Sequence, residues 1–270
     1  MRNITNQSSR KVMLGSASVV GGREEQQDRL GIFLMAERGI HLAVVADGLG
    51  GHRGGALAST AVVTAAEQCF VEQAANSRFH ILATIGAAAH AEVRRVGRLH
   101  GLTPHSTGVF LLLDIHEAHW LHVGDSRLYH FRQRRLQART RDHSVSQAMV
   151  NVGAIQPDEV LHHHGQSSLL ATLGGDKTPP TEIGHTQLQP GDGFALCSDG
   201  VWRTLTDDEL AQAATADCLD QAAAQWVATA VERGGRRADN ATLILARLEG
   251  EPIVESPPPG RFQRLIQHFR

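Results

Sequence analysis

The chain has 270 residues, 41% of them hydrophobic, with a formal net charge of −2 and a pI of about 6.8. That length allows one large domain or two small ones around a sizeable core, and the near-neutral balance gives no support for general nucleic-acid binding. No run reaches the ~18 apolar residues of a membrane span, and the polar stretch from Met1 to Arg10 lacks the apolar centre of a signal peptide. Three widely spaced cysteines, Cys69, Cys197 and Cys218, suggest a reducing, cytoplasmic compartment and no zinc ribbon.

Residues 12–47 read as strands interrupted by the polar segment from Gly21 to Asp28. Residues 54–75 and 78–98 are Ala-rich with apolar positions at helical spacing, which predicts two helices. Residues 107–140 alternate and carry β-branched and aromatic side chains, predicting three or four strands in a meander. Residues 144–175 are mixed and His-rich and read as an insertion of small helices and loops. Its triplet His162-His163-His164 suits a solvated face better than a metal site, because neighbouring side chains diverge. Strands return at 182–189 and 193–198. Two helices follow near 206–214 and 217–233, the first capped by Thr206, and a last strand covers 240–248. This order lacks strict strand–helix alternation. It predicts an α+β fold, a four-layer α-β-β-α sandwich of two antiparallel sheets flanked by helix pairs. Residues 1–249 form that domain. Beyond it, Glu251 to Gly260 holds four prolines and reads as a linker. Residues 261–270 place apolar side chains at 262, 265, 266 and 269 opposite a basic face, a short tail that either docks on a partner or frays.

Three of the apolar runs end on aspartate, at Asp47, Asp125 and Asp199, and a fourth aspartate, Asp239, directly precedes the last strand. An ionised carboxylate at the edge of a core costs several kcal/mol unless positive charge meets it. No lysine or arginine recurs beside the four in a pattern that would pair them off, so a shared divalent cation is the expected partner. Asp-Gly is also a hairpin-turn signal, and each pair taken singly reads as a turn. The set does not, since Asp125-Ser126 and Asp239-Asn240 are not preferred hairpin pairs. Carboxylates alone suit Mg²⁺ or Mn²⁺ better than zinc. Two such ions can acidify a water for in-line attack on phosphorus, and Arg23 is suited to grip two phosphate oxygens.

Seven short motifs then fall in order: Arg23-Glu24-Glu25-Gln26-Gln27-Asp28, Asp47-Gly48-Leu49-Gly50-Gly51-His52, Ser106-Thr107-Gly108, Gly124-Asp125-Ser126-Arg127, Thr140-Arg141-Asp142-His143-Ser144, Leu196-Cys197-Ser198-Asp199-Gly200 and Asp239-Asn240-Ala241-Thr242. Together they resemble the metal-dependent serine/threonine protein phosphatases of type 2C in their bacterial form, over roughly residues 12–248. The resemblance implies that Asp47 bridges two metal ions, that the Gly48 carbonyl binds one, and that Asp199 and Asp239 complete the pair. It implies a third, weaker ion on Asp125 and Asp199, phosphate binding by Arg23, and a role for Asp28 as acceptor for a water on the metals. Residues 144–175 become a flap beside the site. The substrates become phosphoserine and phosphothreonine on proteins, opposed by a serine/threonine kinase. Gln27 and Leu49 depart from the family's common residues, and His52 is a candidate for proton transfer in their neighbourhood.

Two rivals stand beside this reading. Cys197 to Thr204 fits the Cys-x-x-Gly-x-x-Arg-Thr spacing of a cysteine phosphatase loop, although Asp199 would put negative charge into an anion cradle. A pseudophosphatase that binds phosphoproteins without turnover would be marked by a lost metal carboxylate, and Asp47, Asp199 and Asp239 are all present.

Overall fold

In a computed structural model, the described residues are 10–49, 54–72, 76–162, 168–180 and 182–250. His52, His163, His164 and the 251–270 tail lie outside them, so the expectations placed on those residues go no further.

The element order is β1 (Lys11–Val19), β2 (Asp28–Met35), β3 (Ile40–Leu49), α1 (Gly54–Glu72), α2 (Arg78–His100), β4 (His105–Ser106), β5 (Gly108–Leu113), β6 (Glu117–Val123), β7 (Arg127–Arg132), β8 (Arg135–Arg139), α3 (Val145–Asn151), β9 (Glu182–Gln187), β10 (Gly193–Cys197), α4 (Asp199–Trp202), α5 (Asp207–Ala214), α6 (Leu219–Gly234) and β11 (Ala241–Glu249). One sheet runs β1-β11-β10-β7-β8 and the other β2-β3-β5-β6-β9, with β4 paired to β3. Every pairing is antiparallel.

Alternation along the central strands separates three cores. On β3, Leu42, Val44 and Ala46 face α1 and α2, while Ala43 and Val45 face the opposite sheet. On β11, Leu243 and Leu245 pack toward α5 and α6, while Ile244, Ala246 and Leu248 turn inward. Both faces of these strands are buried, so their sequences are continuous apolar runs rather than the half-polar alternation of a solvated antiparallel sheet. This is the four-layer sandwich expected. Thr206 caps α5 as expected, in a reciprocal capping box with Glu209.

The meander expectation needs correction. The four strands from β5 to β8 do not form one sheet. β5 and β6 belong to one and β7 and β8 to the other, and the chain changes sheet across Gly124-Asp125-Ser126. Periodicity cannot register that change, because strands buried on both faces look alike in either sheet. The short helix α4 was also not expected. At four residues it is too brief to leave a periodic signal.

Candidate active site at the sheet ends

Asp47 stands on β3 directly across from Asp28 on β2. The strand runs past Asp47, because Gly48 and Leu49 continue it by pairing with Ser106 and His105 of β4. The Asp47 backbone is clamped on both sides. Its N–H donates to Thr107 Oγ1 at 3.0 Å, and its carbonyl accepts from the Thr107 N–H at 2.8 Å and from Ser106 Oγ at 3.0 Å. The Ser106-Thr107 pair therefore fixes where Asp47 sits. Gly48 cannot be replaced without movement, since a Cβ there would lie 2.0 Å from the Gly55 carbonyl oxygen at the start of α1.

Asp28 is buried. Its Oδ2 accepts from Ser198 Oγ at 2.6 Å, while its Oδ1 is buried with no hydrogen-bond partner. Desolvation pushes the Asp28 carboxyl up to about 7, with Asp199 and Asp239 adding to the effect and the Ser198 and Thr242 contacts opposing it.

Asp125 occupies the crossing between sheets and is held by a buried brace. Arg127 makes a two-pronged ion pair with Asp142, both bonds 2.8 Å, and its guanidinium lies 3.6 Å from the centre of the Trp202 ring. The Trp202 indole N–H in turn donates to the Asp125 carbonyl at 2.9 Å. Desolvation and Asp199 push the Asp125 carboxyl up to about 7, against the pull of Arg203.

Asp199 begins α4 after β10, and Asp239 precedes β11, the neighbouring strand. Asn240 anchors the loop that carries Arg23. Its Oδ1 accepts from the Gln27 N–H at 2.7 Å, and its amide donates to the carbonyls of Val20 and Glu25 at 2.8 and 3.1 Å. Asn240, Arg127 and Asp142 fall inside the sequence motifs, but the roles they play were not legible there, since each acts through partners far along the chain. Asp47, Gly48, Asp125, Asp199, Asp239 and Arg23 line one cavity of about 600 Å³, joined by Arg203 and by Leu169 of the 144–175 segment. The 144–175 segment comes back beside Asp47, where Ser106 and Leu173 exchange backbone hydrogen bonds of 3.0 and 2.8 Å.

Two expectations are corrected here. Arginines do pair with these aspartates: Arg23 reaches Asp239 at 2.6 Å and Arg203 reaches Asp199 at 2.9 Å. Arg203 caps the C-terminal end of the short helix α4. Its partner sits one helical turn away, a relation hidden while α4 itself was unseen. The cysteine rival fails on position. Cys197 is fully buried in the core beneath α4 to α6, and burial pushes its thiol far up, which withholds the thiolate that attack requires.

Divalent ions suit this cavity on two observations. The buried Asp28 Oδ1 has no partner, and Asp47 is pushed well up by desolvation and by four neighbouring aspartates. Among the described residues no three His, Cys, Asp or Glu side chains already form a single-ion cluster. Asp199 and Asp239 instead engage their arginines. A carboxyl raised in the folded state favours folding below its unfolded pKa, and this contribution is lost as pH rises from about 4 through 7. Cation binding requires the ionised form, so over the range where a raised carboxyl still holds its proton, each proton to be displaced weakens binding about tenfold per pH unit. Mn²⁺ should therefore raise the melting temperature more at pH 8 than at pH 5.5. Comparing with and without Mn²⁺ at each pH cancels the opposite contribution of the buried His122 and the half-buried His143, whose pKa values desolvation lowers. Equal shifts at the two pH values would contradict the assignment.

Comparison with known proteins places the chain in a class. Residues 18–234 match the family described as Protein phosphatase 2C, and the chain belongs to that family. The serine/threonine protein phosphatase PstP of Mycobacterium tuberculosis is 28% identical over 77% of this chain, and the match spans only 40% of PstP. A putative protein phosphatase 2C-type of Streptococcus pyogenes is 27% identical over 80% of this chain and 89% of its own length. The solved serine/threonine phosphatase of S. agalactiae superposes with a TM-score of 0.80 at 25% identity, covering 88% of this chain and 100% of that one.

Proposed function

We propose that the protein hydrolyses phosphoserine and phosphothreonine on proteins, using Mn²⁺ or Mg²⁺ held by Asp47, the Gly48 carbonyl, Asp199 and Asp239. The observation that carries this reading is the convergence of aspartates from both sheets on one cavity with Arg23 beside them. Two divalent ions bound there supply charge neutralisation and an acidified water for in-line attack on phosphorus. The chain's own residues do the rest. Thr107 and Ser106 hold Asp47 in place, and Asp28 offers a buried acceptor oxygen beside it. Arg23 engages Asp239 through one terminal nitrogen, and its side chain is 57% exposed, so its fork is accessible to a phosphoryl group. Leu169 brings the flap to the same cavity, where it meets the residues flanking the phosphorylated side chain. A serine/threonine kinase acting on the same targets is the opposing partner, by analogy with the family.

The test is hydrolysis of a phosphothreonine peptide. Activity should require Mn²⁺ or Mg²⁺, vanish with a chelator, and survive in Cys197→Ser. Full activity in chelator together with loss in Cys197→Ser would reverse the assignment, and metal binding without any turnover would favour the phosphoprotein-binding alternative.

A further inference from the structure

Arg203 is the positively charged side chain in the cavity lining that the proposed reaction leaves without a task. It meets Asp199 at 2.9 Å and leans on the Trp202 ring, 5.4 Å from its centre. The same indole donates to the Asp125 carbonyl at 2.9 Å. One aromatic side chain therefore ties the Asp125 backbone and the guanidinium together, and Asp125, Asp199 and Arg203 line the same cavity. The guanidinium is fixed there by helix geometry, since Arg203 lies one turn after Asp199. Its positive charge is felt at both carboxyls, opposing the upward push on each.

The geometry points to Arg203 as a built-in cation for the Asp125–Asp199 side of the cavity, so that this protein takes two divalent ions and no third. This inference rests on the metal-dependent reading above. A metal ion entering beside Asp125 and Asp199 would have to displace the guanidinium from Asp199 or bind against its like charge. Arginine suits such a post because it stays protonated at any working pH. Arg23 differs, being more exposed and turned to Asp239, the carboxylate on the other strand. The cavity thus has one arginine for the incoming phosphate and one for its own carboxylates.

The test counts Mn²⁺ bound to the full chain at saturation and pH 8, by calorimetry with equilibrium dialysis and without substrate. The wild type should bind two ions. Arg203→Gln should bind a third, at least tenfold tighter than any extra binding by the wild type, and Arg203→Lys should return to two. Three ions on the wild type, or only two on a folded Arg203→Gln, would overturn the inference while leaving the metal-dependent reading intact. No bound Mn²⁺ on the wild type would overturn that reading itself. The wild-type count decides the matter even if Arg203→Gln does not fold.

Discussion

Asp47→Asn should lower phosphatase activity by roughly a thousandfold or more while leaving the metal-free protein at least as stable as the wild type. The first half follows from what two ions contribute, several kcal/mol of charge stabilisation at the phosphoryl group, where about 4 kcal/mol corresponds to a thousandfold in rate. The second half follows from crowding. Asp47 is destabilised as an anion by desolvation and by Asp199, Asp28, Asp125 and Asp239, in that order. A neutral amide of the same shape relieves that repulsion. The backbone clamp from Thr107 and Ser106 does not involve the Asp47 carboxyl, so the substitution keeps its geometry. Activity and thermal melting, each with and without Mn²⁺, read both effects. A variant that keeps near-normal activity, or that melts well below the wild type when metal-free, would contradict the role given to Asp47.

Asp142→Asn should be the most damaging single change to stability away from the metal ligands. Arg127 and Asp142 are both buried and meet through two 2.8 Å bonds. Removing one charge leaves the other buried without compensation, a loss of about 3–5 kcal/mol. For a domain of this size that corresponds to a fall of roughly 10 °C in melting temperature. The pair as a whole is worth far less than either half. The double substitution Arg127→Met with Asp142→Leu should recover a large part of the loss. It should still lower activity, because the guanidinium that braces Trp202, and through it Asp125, has gone. A single variant melting within about 2 °C of the wild type would show that the brace carries little.

The residues were informative where a local rule governs them. α1 and α2 start where their 3.6-residue spacing places them, at Gly54 and Arg78, and Thr206 caps α5 as its residue type suggests. The aspartates at Asp47, Asp125, Asp199 and Asp239 were legible because a carboxylate at the end of an apolar run demands a partner. What was not legible depends on contacts between distant positions. The crossing at Gly124-Asp125-Ser126 looks like any other turn until the sheets are seen. Asn240 serves a loop more than 200 residues earlier in the chain. Arg203 entered only through the spacing from Cys197 to Thr204, and its pairing with Asp199 emerged only with the one-turn helix between them.

The arrangement of the two sheets has a mechanical consequence. Asp28 and Asp47 come from one sheet, while Asp199 and Asp239 stand at the ends of adjacent strands in the other. On the proposed function, ions shared by these carboxylates would act as rivets across the seam between the slabs. Sliding one slab against the other would change the spacing of the donors, and filling the site would oppose the slide. Ion occupancy of the cavity and alignment of the whole sandwich would then be a single linked equilibrium.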